Sequence, residues 1–131
     1  MLKTFLHIKI RQARKSDLPA IKNLIAKFPG ELLPHHLPPV SDSMVAVDAS
    51  GKIIAHVGLD ISKSGFAEVR SMVVEKKYHG RGLSGMLLQR LEKNAKKKKC
   101  WELVAVTNAV KFFLRQGYKP SKKSAVLFKA L

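Results

Sequence analysis

Hydrophobic positions along the chain repeat with two periods, and the period changes where the local structure should change. From Leu6 to Arg11, Leu6, Ile8 and Ile10 alternate with His7, Lys9 and Arg11, the period of a half-buried strand. Ser16-Asp17 then offers a helix cap, with Pro19 in the first turn. Leu18, Ile21, Leu24, Ile25 and Phe28 follow at helical spacing. Met44 to Val47 and Ile53 to Leu59 are β-rich runs joined by Asp48-Ala49-Ser50-Gly51-Lys52, a hairpin signal. Phe66 to Val74 reads as the next strand, entered through Ser62-Lys63-Ser64-Gly65. Leu83, Leu87, Leu91 and Ala95 stand four apart, flanked by Met86 and Leu88, and predict a helix from about Gly82 to Lys98. Trp101 to Val106 is almost wholly apolar, as in the middle of a sheet. Ala109 to Gln116 predicts a short helix stopped by Gly117, and Ser124 to Phe128 a last strand.

The order β-α-β-β-β-α-β-α-β implies an α/β domain with a mixed sheet, locally parallel where residues 66–106 join two strands through a helix. Four of the six prolines fall between Phe28 and Pro39, so that stretch should be a loop. A length of 131 residues, 46% hydrophobic and 26% charged, fits a single globular domain over 1–131. No run approaches the roughly 18–20 apolar residues that span a bilayer, and the first residues carry charges every few positions. The lone Cys100 excludes an internal disulfide and a cysteine-rich zinc site, and no metal is expected. A cytoplasmic protein without a membrane partner is the expectation.

Charge alters this picture. Twenty-five Lys and Arg against nine Asp and Glu give a net +16, a field that draws anions and disfavours polycationic substrates. Nucleic acid, a phosphorylated cofactor and an acidic metabolite all fit it. The basic residues are spread along the chain, with no aromatic-rich RNA motif and no zinc spacing, which counts against a nucleic-acid-associated module without removing it.

The most informative segment is Met72-Val73-Val74-Glu75-Lys76-Lys77-Tyr78-His79-Gly80-Arg81-Gly82-Leu83-Ser84-Gly85, running from strand through loop to helix. Gly80 and Gly82 permit sharp turning and close approach of a ligand. The first amides of the helix lack intrahelical partners and lie at its positive end, which makes a seat for phosphate. His79, Arg81 and Ser84 would add side-chain donors. No Gly-Lys-Ser/Thr follows, and the third glycine of a dinucleotide fingerprint comes one place too early. By itself the segment is equally readable as a glycine turn before an ordinary helix.

Lys77-Tyr78-His79-Gly80-Arg81-Gly82 resembles the Gln/Arg-x-x-Gly-x-Gly/Ala loop of the GNAT superfamily of acyl-CoA-dependent N-acyltransferases, with Lys77 replacing Gln or Arg. Phe112-Phe113-Leu114-Arg115-Gln116-Gly117-Tyr118 is similar to a later motif of the family, and the likeness runs over nearly the whole chain. Ala67 to Val74, Val106-Thr107 and Phe112-Phe113 look like the amino-acid N-acetyltransferase branch, which includes N-acetylglutamate synthase. Leu32-Leu33-Pro34 is similar to that branch's substrate loop, with His35 where an Arg often follows.

The resemblance implies a mostly antiparallel mixed sheet whose central strands splay apart, flanked by helices. It implies acetyl-CoA as co-substrate and a small-molecule primary amine, an amino acid among the candidates, as acceptor; a homodimer is compatible with it. Pantetheine would lie along Met72, Val73 and Val74, with the Met72 amide facing the thioester oxygen. Pyrophosphate would sit on the amides from His79 through Gly80, Arg81, Gly82, Leu83 and Ser84 to Gly85, with Lys77, Asn108 and Phe112 also on the cofactor side. Glu68 matches a carboxylate used as general base in some members. Strand alternation would place Glu68, Arg70 and Met72 on one face. Arg70 could grip an acidic acceptor's carboxylate, and His35 lies on the substrate loop.

Each assignment has a simpler rival. Glu68 and Arg70 could merely pair with each other or with sheet neighbours, and Asn108 could cap the short helix. Lys96–Lys99 reads as a solvated helix end, and Cys100 as core. Phe113 stands where many relatives carry a tyrosine that protonates the departing thiolate, so a CoA-binding protein with weak catalysis is a second reading. Tyr118 is expected to pack rather than to act as an acid.

Overall fold

The two periods resolve into seven strands and three helices in a computed structural model, which describes residues 7–28, 36–107, 109–120 and 126–131. The strands are β1 (Lys9–Gln12), β2 (Ser43–Val47), β3 (Ile53–Ile61), β4 (Phe66–Val74), β5 (Glu102–Val106), β6 (Lys119–Pro120) and β7 (Val126–Ala130). The helices are α1 (Leu18–Ala26), α2 (Leu83–Lys97) and α3 (Val110–Arg115). One sheet contains every strand in the order β1-β2-β3-β4-β5-β7-β6. All neighbours are antiparallel except β4 and β5, whose connection through α2 forces the parallel pairing that the sequence predicts.

Each sheet face is closed by a helix with an apolar stripe. Leu83, Leu87, Leu88, Leu91 and Ala95 of α2 pack with Ile54, Leu59, Leu103 and Leu127 in one cluster. Ile21, Leu24 and Ile25 of α1 pack with Val45, Ile53 and Val73 in the other. A fully buried leucine contributes roughly 1.5–3 kcal/mol, so α2, with four leucines no more than 0% exposed, is the principal clamp on the sheet.

The local signals act in physical detail. Asp48 Oδ1 accepts from Ser50 N and Lys52 N at 2.9 Å each and from Ser50 Oγ at 2.7 Å, while Gly51 takes φ +88° to close the hairpin. Asp17 does not cap α1 through its side chain. It closes the short 3₁₀ turn before that helix, accepting from Arg14 N at 2.7 Å and from both arms of Arg11 at 2.8 and 3.1 Å. The Arg11 bond holds the Asp17 carboxyl below its ordinary range.

The lysine run ends α2 with a Schellman motif. Cys100 N donates to Ala95 O at 2.9 Å and Lys99 N to Lys96 O at 3.0 Å, with Lys99 in the left-handed region at φ +64° where glycine is usual. Cys100 is buried, as expected. The sheet also contains β6, which the hydrophobic pattern does not predict, and β7 runs on to Ala130. The expected start of that last strand at Ser124, the substrate-loop likeness at Leu32-Leu33-Pro34, and His35 and Asn108 lie outside the described residues.

Candidate active site

β4 and β5 run side by side for three residues only: Phe66 pairs with Glu102, Ala67 with Leu103 and Glu68 with Val104. Beyond Glu68 the two strands part. β5 continues along β7, with Ala105 opposite Leu127 and Val106 opposite Val126, while β4 continues along β3. A fork therefore opens inside the sheet, with Glu68 at its apex and the main chain of residues 70–74 along one arm.

The β4 arm is irregular. His56 pairs with Val73 and Gly58 with Arg70, so Val57 alone faces both Ser71 and Met72: a β-bulge. Ser71 takes φ +54°, a left-handed conformation that costs a non-glycine residue about 1–3 kcal/mol. The extra residue reverses the alternation of side chains. Ala67 and Val69 ahead of the bulge and Val74 after it all join the α2-side cluster, and Met72 packs against that cluster as well. Val73 joins the α1-side cluster.

Glu68 and Arg70 thus lie on the α1 face, and Met72 on the α2 face. The expectation that all three share a face is corrected, because strict alternation holds only in a strand without a bulge. Glu68 is half-buried, and among the described residues it makes no ion pair. Arg70 pairs with Asp60 of β3 instead, Nη1 to Oδ2 at 3.3 Å.

At the wide end of the fork the β4 chain passes into the glycine loop. Glu75 N donates to Ile54 O at 2.9 Å, so the adjacent Val74 turns its own peptide groups away from β3 and toward the fork. His79 reaches back there, its Nε2–H donating to Val74 O at 2.6 Å and its ring stacking on Phe28. The His79 amide donates to Lys76 O at 3.0 Å. The His79 amide and Nε2 are thus both engaged in this arrangement, and the run of open amides begins at Gly80, one residue later than the sequence implies.

Gly80 and Gly82 have φ +74° and +84°, the left-handed values that justify glycine there. The first main-chain bond into α2 is Met86 N to Gly82 O at 3.2 Å, which leaves the earlier amides of Leu83, Ser84 and Gly85 without a carbonyl of their own helix. Leu83 and Gly85 are buried, whereas Lys77, Arg81 and Gly82 are exposed and Ser84 is half-exposed. A Cβ on Gly85 would stand 3.1 Å from Gln116 Nε2, so glycine also lets α2 approach the end of α3. Glu75 fastens the loop to α1 through Lys27 Nζ, 2.8 and 3.0 Å from its two oxygens, and this bond keeps its carboxyl below the ordinary range.

Phe112 lies partly buried against the α2-side cluster. Phe113 is buried edge-to-face between Phe112 and Tyr118, with ring centres 5.1 and 5.0 Å away. Tyr118 is buried too, and burial followed by the charge of Glu92 pushes its phenol far above the ordinary value. Neither ring offers an acid. Thr107 Oγ1 accepts from Ala109 N at 2.8 Å at the entrance to α3.

Two features of the site go unread in the sequence. His56 is 1% exposed in β3, with Nδ1 donating to the bulge carbonyl of Ser71 at 2.8 Å. Gly58 leaves a space on the α1 face that Pro38 and Ser43 fill. A lone histidine within Ile53-Ile54-Ala55-His56-Val57 was the available signal, since a buried polar side chain requires a partner.

Comparison with known proteins agrees with this geometry. Residues 40–120 match the family model described as an acetyltransferase (GNAT) domain. An amino-acid acetyltransferase of Mycobacterium tuberculosis is 28% identical over 116 residues, covering 83% of this chain and 67% of the relative. A crystal structure of a Mycobacterium tuberculosis protein in complex with CoA superposes with a TM-score of 0.79 at 29% identity, over 87% of this chain and 73% of that one. The N-acetylglutamate synthase of Neisseria gonorrhoeae, crystallised with coenzyme A and N-acetyl-glutamate, shares the fold at a TM-score of 0.81 and 20% identity. That match covers 95% of this chain but only 35% of the synthase. Among the described residues no helix is long and apolar enough to cross a membrane. With the forked sheet, the glycine loop and the family match in agreement, the chain belongs to the GNAT acetyltransferases.

Proposed function

We propose that the protein moves the acetyl group of acetyl-CoA to the primary amine of a small molecule, with amino acids as the acceptor class. The observation that carries this reading is the fork, which presents the unladdered main chain of β4 and leads directly into the open amides of the glycine loop. The pantetheine arm would enter as a missing strand, pairing with the Val74 N–H and the fork-facing peptide groups of its neighbours, and the pyrophosphate would rest on the amides of Gly80 to Gly85. The Met72 amide would meet the thioester oxygen; a donor fixed in advance at the developing oxyanion is worth about 3–4 kcal/mol.

On the α1 face, Glu68 at the fork apex would take the proton from the acceptor's ammonium, directly or through water. The amine would then attack the thioester carbon, and collapse of the tetrahedral intermediate would release CoA thiolate. With Phe113 and Tyr118 both in the core, water would protonate that thiolate. An acidic acceptor would draw Arg70 from its pair with Asp60, both of which are partly exposed. The amino-acid class is favoured by the Mycobacterium tuberculosis relative, an amino-acid acetyltransferase by name.

The test is thiol release from acetyl-CoA with a panel of amino acids and other amines. Acceptor-dependent release supports the reading, and tight acetyl-CoA binding without release by any amine would favour the second reading, a CoA-binding protein of little activity. Stabilisation by nucleic acid that survives physiological salt, without stabilisation by acetyl-CoA, would overturn both.

A further inference from the structure

The buried imidazole of His56 has no part in the acetyl transfer proposed so far. His56 lies on β3 between Val45 of β2 and Val73 of β4, its register partners, and is 1% exposed. Its Nδ1–H donates to Ser71 O at 2.8 Å. Burial holds the imidazole below its ordinary pKa, which keeps the ring neutral with a single N–H. Because that N–H is spent on a carbonyl, Nδ1 is the protonated nitrogen.

Ser71 is the left-handed residue of the bulge, where β3 presents one residue to two and its ladder cannot serve both. The carbonyl that His56 holds belongs to the Ser71–Met72 peptide, the same rigid unit that carries the Met72 N–H. In a planar trans peptide the C=O and N–H point in opposite directions. Fixing the oxygen toward β3 therefore fixes the Met72 N–H away from β3, toward the fork. No other side chain among the described residues donates to this carbonyl.

We propose that His56 is a positioning residue for acetyl transfer: it orients the Ser71–Met72 peptide so that the Met72 amide is aimed at the thioester oxygen before substrate arrives. This rests on the functional reading above, in which that amide is the oxyanion donor. Removing such a donor outright costs about 10²–10³ in kcat, and loosening its aim should cost at least about tenfold.

Two substitutions separate aim from packing. His56→Leu fills the site without a donor, whereas His56→Asn places an N–H donor on the atom equivalent to Nδ1. The expected result is a fall in kcat of about tenfold or more for His56→Leu with KM for acetyl-CoA within about threefold of wild type, and recovery of most of that loss in His56→Asn. Leucine and asparagine variants with equal kcat, or a leucine variant as fast as wild type, would overturn the proposal. If His56→Leu does not fold, the nitrogen-15 spectrum of the wild-type imidazole decides: Nδ1 protonated supports it, Nδ1 bare overturns it. Wild-type protein that neither binds nor consumes acetyl-CoA would instead overturn the functional reading and take this inference with it.

Discussion

Gly58 is the position where one added methyl group should report on both the fold and the acceptor side of the site. It lies in β3 opposite Ser43 of β2 and Arg70 of β4, so its main chain is held from both flanks and cannot retreat. A Cβ there would stand 2.6 Å from Ser43 Oγ and 3.0 Å from Pro38 Cβ, with Pro38 Cγ closer still, whereas ordinary contact begins near 3.4 Å. Neither neighbour yields easily: the proline ring is stiff, and Ser43 Oγ is tied to Pro39 O at 2.9 Å. Overpacking of this kind costs about 1–3 kcal/mol, and breaking the Ser43–Pro39 bond adds about 1 kcal/mol, so Gly58→Ala should lose about 2–4 kcal/mol in urea unfolding. If the strain is relieved by releasing Pro38 and Pro39, the damage falls on the α1 face beside Glu68 and Arg70. The acceptor's KM should then rise several-fold, while acetyl-CoA affinity stays within about twofold, because the glycine loop is anchored separately by Glu75 on Lys27 and His79 on Val74. An alanine variant within about 0.5 kcal/mol of wild type, with acceptor KM unchanged, would refute the reasoning.

Three further outcomes are expected. Glu68→Gln should lower turnover by about 10²-fold or more while calorimetry finds acetyl-CoA affinity unchanged, since a general base acts on the acceptor alone; unaltered turnover would retire the assignment. Lys99→Gly should stabilise the protein by about 1 kcal/mol and raise the melting temperature by roughly 3–4 °C, because the left-handed C-terminal position of α2 carries a side chain that gains nothing there. As burial depresses the folded-state pKa of His56, the unfolded chain binds that proton first. Stability should therefore be level above about pH 7.5 and fall as pH drops through about 6.5, with a slope approaching 1.4 kcal/mol per pH unit that His56→Asn removes from denaturation curves.

The sequence disclosed those elements whose side-chain pattern is governed by one long face. The bounds of β4 match the pattern at Phe66 and Val74, and α2 falls one residue inside its expected limits, with Gly82 as the residue before it and Lys98 after it. The parallel pairing of β4 with β5 was legible because an intervening helix of that length leaves the chain few other routes. The bulge was hidden for an equally definite reason. Met72-Val73-Val74 is apolar at every position and serves a sheet covered on both faces, so no alternation remains to show that a residue has been inserted. Ser71 is no help, as bulges are most easily seen in sequence when the left-handed residue is glycine. His56 and Gly58 are isolated departures within an otherwise apolar strand; their partners, Ser71 and Pro38, become evident only when the strands are in register.

On the proposed mechanism the bulge also sets the side from which each reactant comes. In an uninterrupted strand Met72 would point its side chain to the face of Glu68 and Arg70, and the acceptor would have to share that surface with it. One extra residue transfers the Met72 side chain to the α2-side core, where it adds to the packing of Val69 and Val74, and leaves the α1 face ahead of it to the polar groups. The same insertion lies on the stretch of β4 that has left β5, so its main chain is free to pair with an entering strand-like arm. On the proposed mechanism the acyl donor then approaches within the plane of the sheet and the amine from the α1 face, and the two meet at the thioester carbon without competing for surface. The strain at Ser71, about 1–3 kcal/mol, is small beside the burial of α2, and a fold clamped so firmly can hold the bend in the absence of ligand. Deleting Ser71 tests the bulge itself. The variant restores plain alternation from Arg70 to Met72, so Met72 stays on the α2 face while the left-handed turn and the carbonyl held by His56 are gone, and it should remain folded and lose acetyl transfer. Retention of wild-type turnover after that deletion would show that the bulge has no part in bringing the reactants together.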